Sequence, residues 1–436
     1  MKTNLFFVSL GCDKNRVDSE KMLAYLGASG FSFVDDEYLA DVIVVNTCCF
    51  IDDAKEESIE TILEMAKHKE DGACKRLVVA GCLSERYKDE IIKELPEVDD
   101  WIGTSNLKDI IDAVSDSFIC EGLDRHVQPD KNRVITTGGH YEFLKIAEGC
   151  NKRCTYCIIP YIRGNYRSFD MDELLAEAKF LAGEGVKELI VVAQETSIYG
   201  RDIYGKDMLP ELLKKLCLID GFEWIRVLYC YPEDITKEFL EVMASEPKIC
   251  NYIDMPIQHS SDAILKRMGR RTNHQSIVDK INLARQIVPD VVLRTSLISG
   301  FPGESKEDFE DLKNFVKEMK FDHLGVFTYS QEEGTPAALF EEQIDDGVKE
   351  QRRDEIMKIQ EEISSEKLCS KIGKTFDVFI EGKLVDDDVY VGRTYMDAPD
   401  VDSYFYVKYN GTLHTGDFVK VTALSNSQYD LYGEML

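Results

Sequence analysis

The sequence predicts an α/β chain in three unlike parts, and three observations carry that reading. Apolar strands alternate with helical segments through the N-terminal region. Six further strand–helix units fill the middle. Short alternating runs without helices close the chain. The expected fold is therefore an N-terminal parallel α/β domain, a central incomplete (β/α)6 barrel and a C-terminal small antiparallel β-barrel. The expected boundaries are 1–136, 137–367 and 368–436, and 436 residues suit about three domains.

In the N-terminal part, Leu5 to Leu10 runs into Gly11-Cys12, Val42 to Val45 into Asn46-Thr47-Cys48, and Leu77 to Ala80 into Gly81-Cys82. Ser19 to Leu26 and Ala54 to Ala66 read as the intervening helices, so the sheet should be parallel, with a fourth strand near Trp101-Ile102-Gly103. Ligands of open parallel sheets gather at the carboxyl ends of the strands. Cys12, Cys48 and Cys82 occupy that position three times over, which predicts a three-thiolate site for an iron–sulfur cluster. Buried cysteines also serve as small hydrophobes. Cys49 is read that way because Cys48 has the matching offset. Cys74, Cys120, Cys217, Cys230, Cys250 and Cys369 have no partner spacing and read as core or surface thiols. A polar stretch from Gly122 to His140 reads as a linker.

The middle strands are Phe143 to Ala147, Glu188 to Ala193, Trp224 to Tyr231, Tyr252 to Ile257, Val291 to Ile298 and His323 to Tyr329. Directly after the first comes Cys150-Asn151-Lys152-Arg153-Cys154-Thr155-Tyr156-Cys157. One short loop thus offers three thiolates and no fourth, leaving one iron of a 4Fe-4S cluster open for a reacting ligand. A structural zinc site would need a fourth ligand nearby; His140 and Cys217 lie outside the usual spacings. The carboxyl end of a barrel strand is where barrel chemistry usually sits. A charged helix from Val348 to Leu368 leaves the barrel. Thr375 to Ile380, Val389 to Val391, Ser403 to Tyr409 and Phe418 to Ala423 then form the terminal β module.

The net charge of −29 is spread along the chain. Residues 1–136 hold 16 Lys and Arg against 28 Asp and Glu, and residues 368–436 hold 6 against 11, giving −12, −5 and −12 for the middle. No segment has the basic balance of a phosphate-binding surface, so a basic macromolecule is the expected partner and direct RNA contact is secondary. Asp386, Asp387 and Asp388 form the densest acidic run of the terminal module, readable as a docking feature or as a solvated loop. Thirteen cysteines point to a reducing compartment. The apolar run Leu5 to Leu10 falls short of the roughly 7 residues of a signal core and reads as a strand. A soluble cytoplasmic protein without membrane contact is expected.

The Cys150/Cys154/Cys157 spacing, with Tyr156 before the last cysteine, resembles the signature of the radical S-adenosylmethionine (SAM) superfamily. With the second cysteine set, the barrel and the β module, the chain resembles the methylthiotransferase family of that superfamily over nearly its whole length. Gly11-Cys12-Asp13-Lys14-Asn15, Val17-Asp18-Ser19-Glu20, Ala80-Gly81-Cys82-Leu83 with Arg86-Tyr87, Leu228 to Pro232 and Asp254 to His259 resemble the RimO type. That type methylthiolates an aspartate β-carbon of small-subunit ribosomal protein twelve. The resemblance implies two 4Fe-4S clusters, one on Cys12, Cys48 and Cys82 that supplies sulfur and one on Cys150, Cys154 and Cys157 that binds SAM. It also implies SAM contacts at Gln194 and Glu195 after the second barrel strand and at Ser299 and Gly300 after the fifth, together with an electron donor. The terminal module resembles a TRAM domain. Phe169 departs from the pattern, standing where a second arginine is expected. Two rivals are a tRNA adenosine methylthiotransferase and, in another class, an iron–sulfur electron-transfer or binding protein.

Overall fold

The computed structural model describes residues 3–115, 133–385 and 388–435. The chain groups into two compact units. The first holds Met1–Thr136 with Glu148–Asn151 and Cys157–Arg167, and the second holds Thr137–Ala147, Lys152–Tyr156 and Ser168–Leu436.

The first unit is built on strands β1 (Asn4–Ser9), β2 (Ser32–Phe33), β3 (Val42–Thr47), β4 (Arg76–Gly81) and β5 (Asp100–Ile102). They form one parallel sheet in the order β2-β1-β3-β4-β5. Every residue of β3 is buried, as its Val42-Ile43-Val44-Val45 run requires of a strand covered on both faces. Helices α1 (Asp13–Ser29), α2 (Asp52–Ala66) and α3 (Cys82–Glu94) follow β1, β3 and β4.

Helix α1 starts six residues before its apolar pattern suggested, because its inward face is polar at that end. Lys14, Asn15, Asp18, Ser19 and Glu20 are all buried. Asn15 Nδ2 donates to the Leu10 and Thr47 carbonyls at 2.6 and 3.2 Å, and Asn46 Nδ2 donates to Asn15 O and Ser19 Oγ at 3.1 and 2.7 Å. Glu20 lies 3.3 Å from Arg133 Nε and accepts from the Thr136 amide and hydroxyl. Most of the predicted linker, Gly122 to residue 132, lies outside the described residues, as does Cys120. Its last part is no free tether, since Arg133 is fully buried against Glu20.

In the second unit six parallel strands run in sequence order: β6 (Tyr141–Lys145), β7 (Glu188–Val192), β8 (Trp224–Val227), β9 (Tyr252–Asp254), β10 (Val292–Ser299) and β11 (His323–Thr328). They pair as two triplets, and the Ile225–Ile249 bridge with Cys230 N donating to Asp254 O spans the join. A helix follows each strand: α4 (Met171–Gly183), α5 (Leu209–Cys217), α6 (Lys237–Ser245), α7 (His274–Ile287), α8 (Lys306–Met319) and α9 (Asp346–Cys369). Among the described residues β6 pairs only with β7 and β11 only with β10, so the barrel is incomplete as expected.

The terminal module is a closed five-stranded barrel of β12 (Thr375–Lys383), β13 (Val389–Arg393), β14 (Phe405–Lys408), β15 (Phe418–Asn426) and β16 (Leu431–Met435), in the order β12-β13-β14-β16-β15. Two features differ from the sequence reading. β16 supplies an additional strand, and its pairing with β14 is parallel while the other pairs are antiparallel. Closure demands a partner for both remaining edges, and the last segment fills that gap. No helix among the described residues is long and apolar enough to cross a membrane.

Candidate functional site

Because β1, β3 and β4 are neighbours in the sheet, the segments after them emerge side by side. Cys12 is the residue before α1, Cys48 follows β3 directly and Cys82 opens α3. Gly11, at φ +90°, lets the first segment approach the second: a Cβ there would lie 2.7 Å from Cys48 Cβ and 3.1 Å from its Sγ. Ser58 of α2 accepts from the Cys48 amide at 3.1 Å and donates to its carbonyl at 2.8 Å. Cys12 is exposed, while Cys48 and Cys82 are buried. Burial, and next the neighbouring Cys12, push the Cys48 thiol up. Burial pushes Cys82 up to about 12, with the Arg163 guanidinium acting the other way. Such thiols stay protonated until a metal displaces the proton. The donor set therefore fits an iron–sulfur cluster: three thiols, one open to solvent, at one sheet edge. Cys49 is fully buried in the apolar cluster with Ile43, Ile62 and Leu83.

Of the second cysteine set, Cys150 and Cys154 are buried and Cys157 is partly exposed. The Cys150 amide donates to Gly164 O at 3.2 Å. Thr155 is pinned by its amide to Met268 O at 2.9 Å and its hydroxyl to Arg267 O at 2.8 Å. Tyr156 meets the ring of Phe301 edge-on. Arg153 has φ +51°, and Tyr229 and Gln258, beyond the carboxyl ends of β8 and β9, have φ +62° and +70°. Non-glycine residues in this region cluster at sites where the surrounding structure holds them. Among the described residues no three His, Cys, Asp or Glu side chains converge on a single metal ion. A cubane makes a different demand, since each thiolate binds a different iron and the ligands stand further apart. His140, considered for zinc, packs edge-on against Phe379 with Nε2 3.8 Å from Glu381.

Glu195 lies just beyond β7, fully buried, with neither carboxylate oxygen in hydrogen-bond geometry. Its nearest cation is Lys152 Nζ at 3.6 Å, from within the cysteine loop. Burial pushes Glu195 up to about 8, and Lys152 draws it back. Lys152 also pairs with Glu233 at 3.1 Å and with Asp234, and lies over the Tyr231 ring. On the other hand Ser299 and Gly300 are engaged by their own chain. Ser299 Oγ donates to Lys349 O at 3.1 Å, and a Cβ at Gly300 would fall 2.3 Å from Lys349 Cγ. The glycine there is explained by the close passage of α9, and Glu304 caps the turn from Gly300 N at 2.7 Å while pairing with Arg352.

One buried arginine was missed in the sequence. Arg270 is buried, with Nη2 donating to Pro256 O at 2.9 Å and its guanidinium 4.3 Å from the Tyr231 ring centre. Among the described residues its Nε and Nη1 meet no hydrogen-bond partner. A buried guanidinium with two free donors suits a carboxylate, and the basic run Lys266-Arg267 to Arg270-Arg271 in an acidic chain was its only sequence signal. Arg163, in the stretch after the second cysteine set, enters the interior of the first unit.

This architecture defines a radical SAM enzyme. Residues 144–316 match the family profile of the radical SAM superfamily, residues 4–103 that described as uncharacterized protein family UPF0004, and residues 372–436 that of the TRAM domain. The chain is 57% identical to the ribosomal protein uS12 methylthiotransferase RimO of Lachnoclostridium phytofermentans, covering 98% of this chain and 99% of that one. It is 48% identical to the proteins of that name from Acetivibrio thermocellus, over 100% and 99%, and Clostridioides difficile, over 98% and 98%. The chain belongs to the RimO family of ribosomal protein uS12 methylthiotransferases. Among solved structures, the radical S-adenosylmethionine methyltransferase TsrM of Kitasatospora setae is similar in fold, with a TM-score of 0.56 and 14% identity over 78% of this chain and 77% of that one.

Proposed function

We propose that this protein attaches a methylthio group to the β-carbon of an aspartate in ribosomal protein uS12, using SAM and two 4Fe-4S clusters. In this reading Cys12, Cys48 and Cys82 hold one cluster, and Cys150, Cys154 and Cys157 hold the other. The observation that carries it is the emergence of three cysteines from three adjacent parallel strands of one sheet, in a chain whose first barrel strand leads into a second set of three. The boundaries 1–136, 137–367 and 368–436 divide the cluster domain, the barrel and the TRAM-like module.

When bound, the clusters and SAM supply the electron, the hydrogen-abstracting radical, the sulfur and the methyl group, chemistry that no side chain can perform on an unactivated C–H bond. The chain's own residues bind and orient. Among the described residues Glu195 presents a buried carboxylate with no donor in hydrogen-bond geometry, suited to the amino group of SAM, and Arg270 presents Nε and Nη1 without an acceptor, suited to its carboxylate. Gln194 stands beside Glu195. Ser299 and Gly300 shape the turn after β10 against α9, and their part in SAM binding is through that turn's backbone. Lys152 offsets Glu195, Glu233 and Asp234, keeping the loop between Cys150 and Cys154 seated.

The acidic balance of the terminal module, −5 over residues 368–436, suits a basic ribosomal protein. The work then takes place in the cytoplasm with an external electron donor. Mass spectrometry of uS12 and of total tRNA from a deletion strain tests the substrate. Loss of the methylthio mass from uS12 alone supports the reading. Loss from tRNA alone assigns the enzyme to adenosine modification, and no change in either leaves an electron-transfer or binding role.

A further inference from the structure

The Arg163 side chain is 2% exposed, and its guanidinium reaches four groups of the first unit. Nη1 donates to Asp18 at 2.6 Å and to Glu148 at 3.3 Å, and Nη2 donates to Asn15 Oδ1 at 3.1 Å and lies 3.2 Å from Cys82 Sγ. Asp18 and Asn15 belong to the polar inner face of α1 and are buried. Asn15 is itself fixed by the Leu10 and Thr47 carbonyls, one in the turn before Cys12 and the other directly before Cys48. The buried polar segment of α1 thus forms a holder that aims a guanidinium at one cysteine of the set. Both carboxylates lie against that guanidinium, so its charge is largely offset locally. What reaches Cys82 is a directed N–H donor.

We propose that Arg163 is a positioning residue of the N-terminal cluster: its Nη2 donates to the Cys82 thiolate, holds that ligand in place and keeps the cluster easier to reduce. The inference rests on the two-cluster reading above. Reduction adds one electron to the cluster and its thiolates, so a donor to a ligand sulfur stabilises the reduced state more than the oxidised one. Asp18 and Asn15 act through Arg163 by fixing the plane of its fork.

The test uses the full chain carrying Cys150, Cys154 and Cys157→Ala, reconstituted anaerobically so that only the N-terminal cluster remains. Arg163→Gln and Arg163→Lys are added to it, and each protein is titrated with dithionite and mediators while the reduced cluster is followed by electron paramagnetic resonance. Iron content should match the parent. The midpoint of Arg163→Gln should be more negative, with the reduced-to-oxidised ratio at fixed poise lower by about tenfold, which is 59 mV for one electron. Arg163→Lys should recover part of the shift, because an ammonium donates as a point without the fork. An unchanged midpoint with iron retained would overturn the proposal. So would loss of the iron from both variants, which would assign Arg163 to packing of the unit. A parent without iron would instead refute the two-cluster reading on which the proposal rests.

Discussion

Replacing Glu188 with Gln tests how the terminal module is joined to the barrel. Glu188 on β7 is fully buried between two buried arginines, Arg226 Nε at 2.7 Å from Oε1 and Arg393 Nη2 at 2.7 Å from Oε2. Arg226 also donates to Tyr395 O and Arg393 to Asp397 O, so both guanidiniums stay in place when the carboxylate is lost. An amide turns one acceptor into a donor facing a guanidinium and removes the carboxylate that Arg226 pairs with, while Arg393 keeps Glu381. Breaking a buried pair from one side costs about 3–5 kcal/mol, which lowers the melting temperature of a unit this large by about 5–8 °C. Burial alone would raise the Glu188 pKa, but Arg393 and Arg226 outweigh it and hold the carboxylate below its usual range. The stabilisation is thus present above the unfolded value of about 4.3 and is lost as pH falls through the lower folded value. Urea unfolding of both proteins between pH 7 and pH 3 measures this, and the gap between them should narrow below about pH 4. A difference at pH 7 below about 1 kcal/mol would refute the reasoning.

Glu195→Gln should weaken SAM binding by tenfold or more, about 1.5 kcal/mol or above for a charge-assisted hydrogen bond, while iron content holds; equal affinity by calorimetry would remove Glu195 from the SAM site. Alanine at Cys150, Cys154 and Cys157 should leave about half of the reconstituted iron and abolish SAM cleavage, since each set binds one cluster. Alanine at Cys12, Cys48 and Cys82 should also leave about half, with 5'-deoxyadenosine still formed and no methylthio product; normal product from that variant would refute the second site. Converting Asp386, Asp387 and Asp388 to Asn should slow capture of uS12 and flatten its salt dependence, measured by stopped-flow association. Of these three only Asp388 lies within the described residues, 3.4 Å from Lys383. Unchanged association would confine the run to a solvated loop.

The sequence by itself determined the elements and the placement of the cysteines on them. Period-2 and continuous apolar runs mark β3, β4 and the six barrel strands because a strand's burial is written in consecutive residues. A cysteine just beyond a parallel strand is at the ligand edge wherever that strand sits. What a residue faces depends on segments far away in the chain, and only the tertiary structure decided that. The early start of α1 was hidden because its inward residues are polar, and their partners, Arg163 and Arg133, come from beyond position 130. Lys349 of α9 passes close against Gly300 although 49 residues separate them in the chain, and the parallel closure of the terminal barrel required β14 and β16 to find each other. By residue type Arg270 and Arg163 are no different from the exposed cations of this acidic chain. Burial makes them otherwise, because a guanidinium removed from water must be answered by a carboxylate, a carbonyl, a thiolate or a ligand.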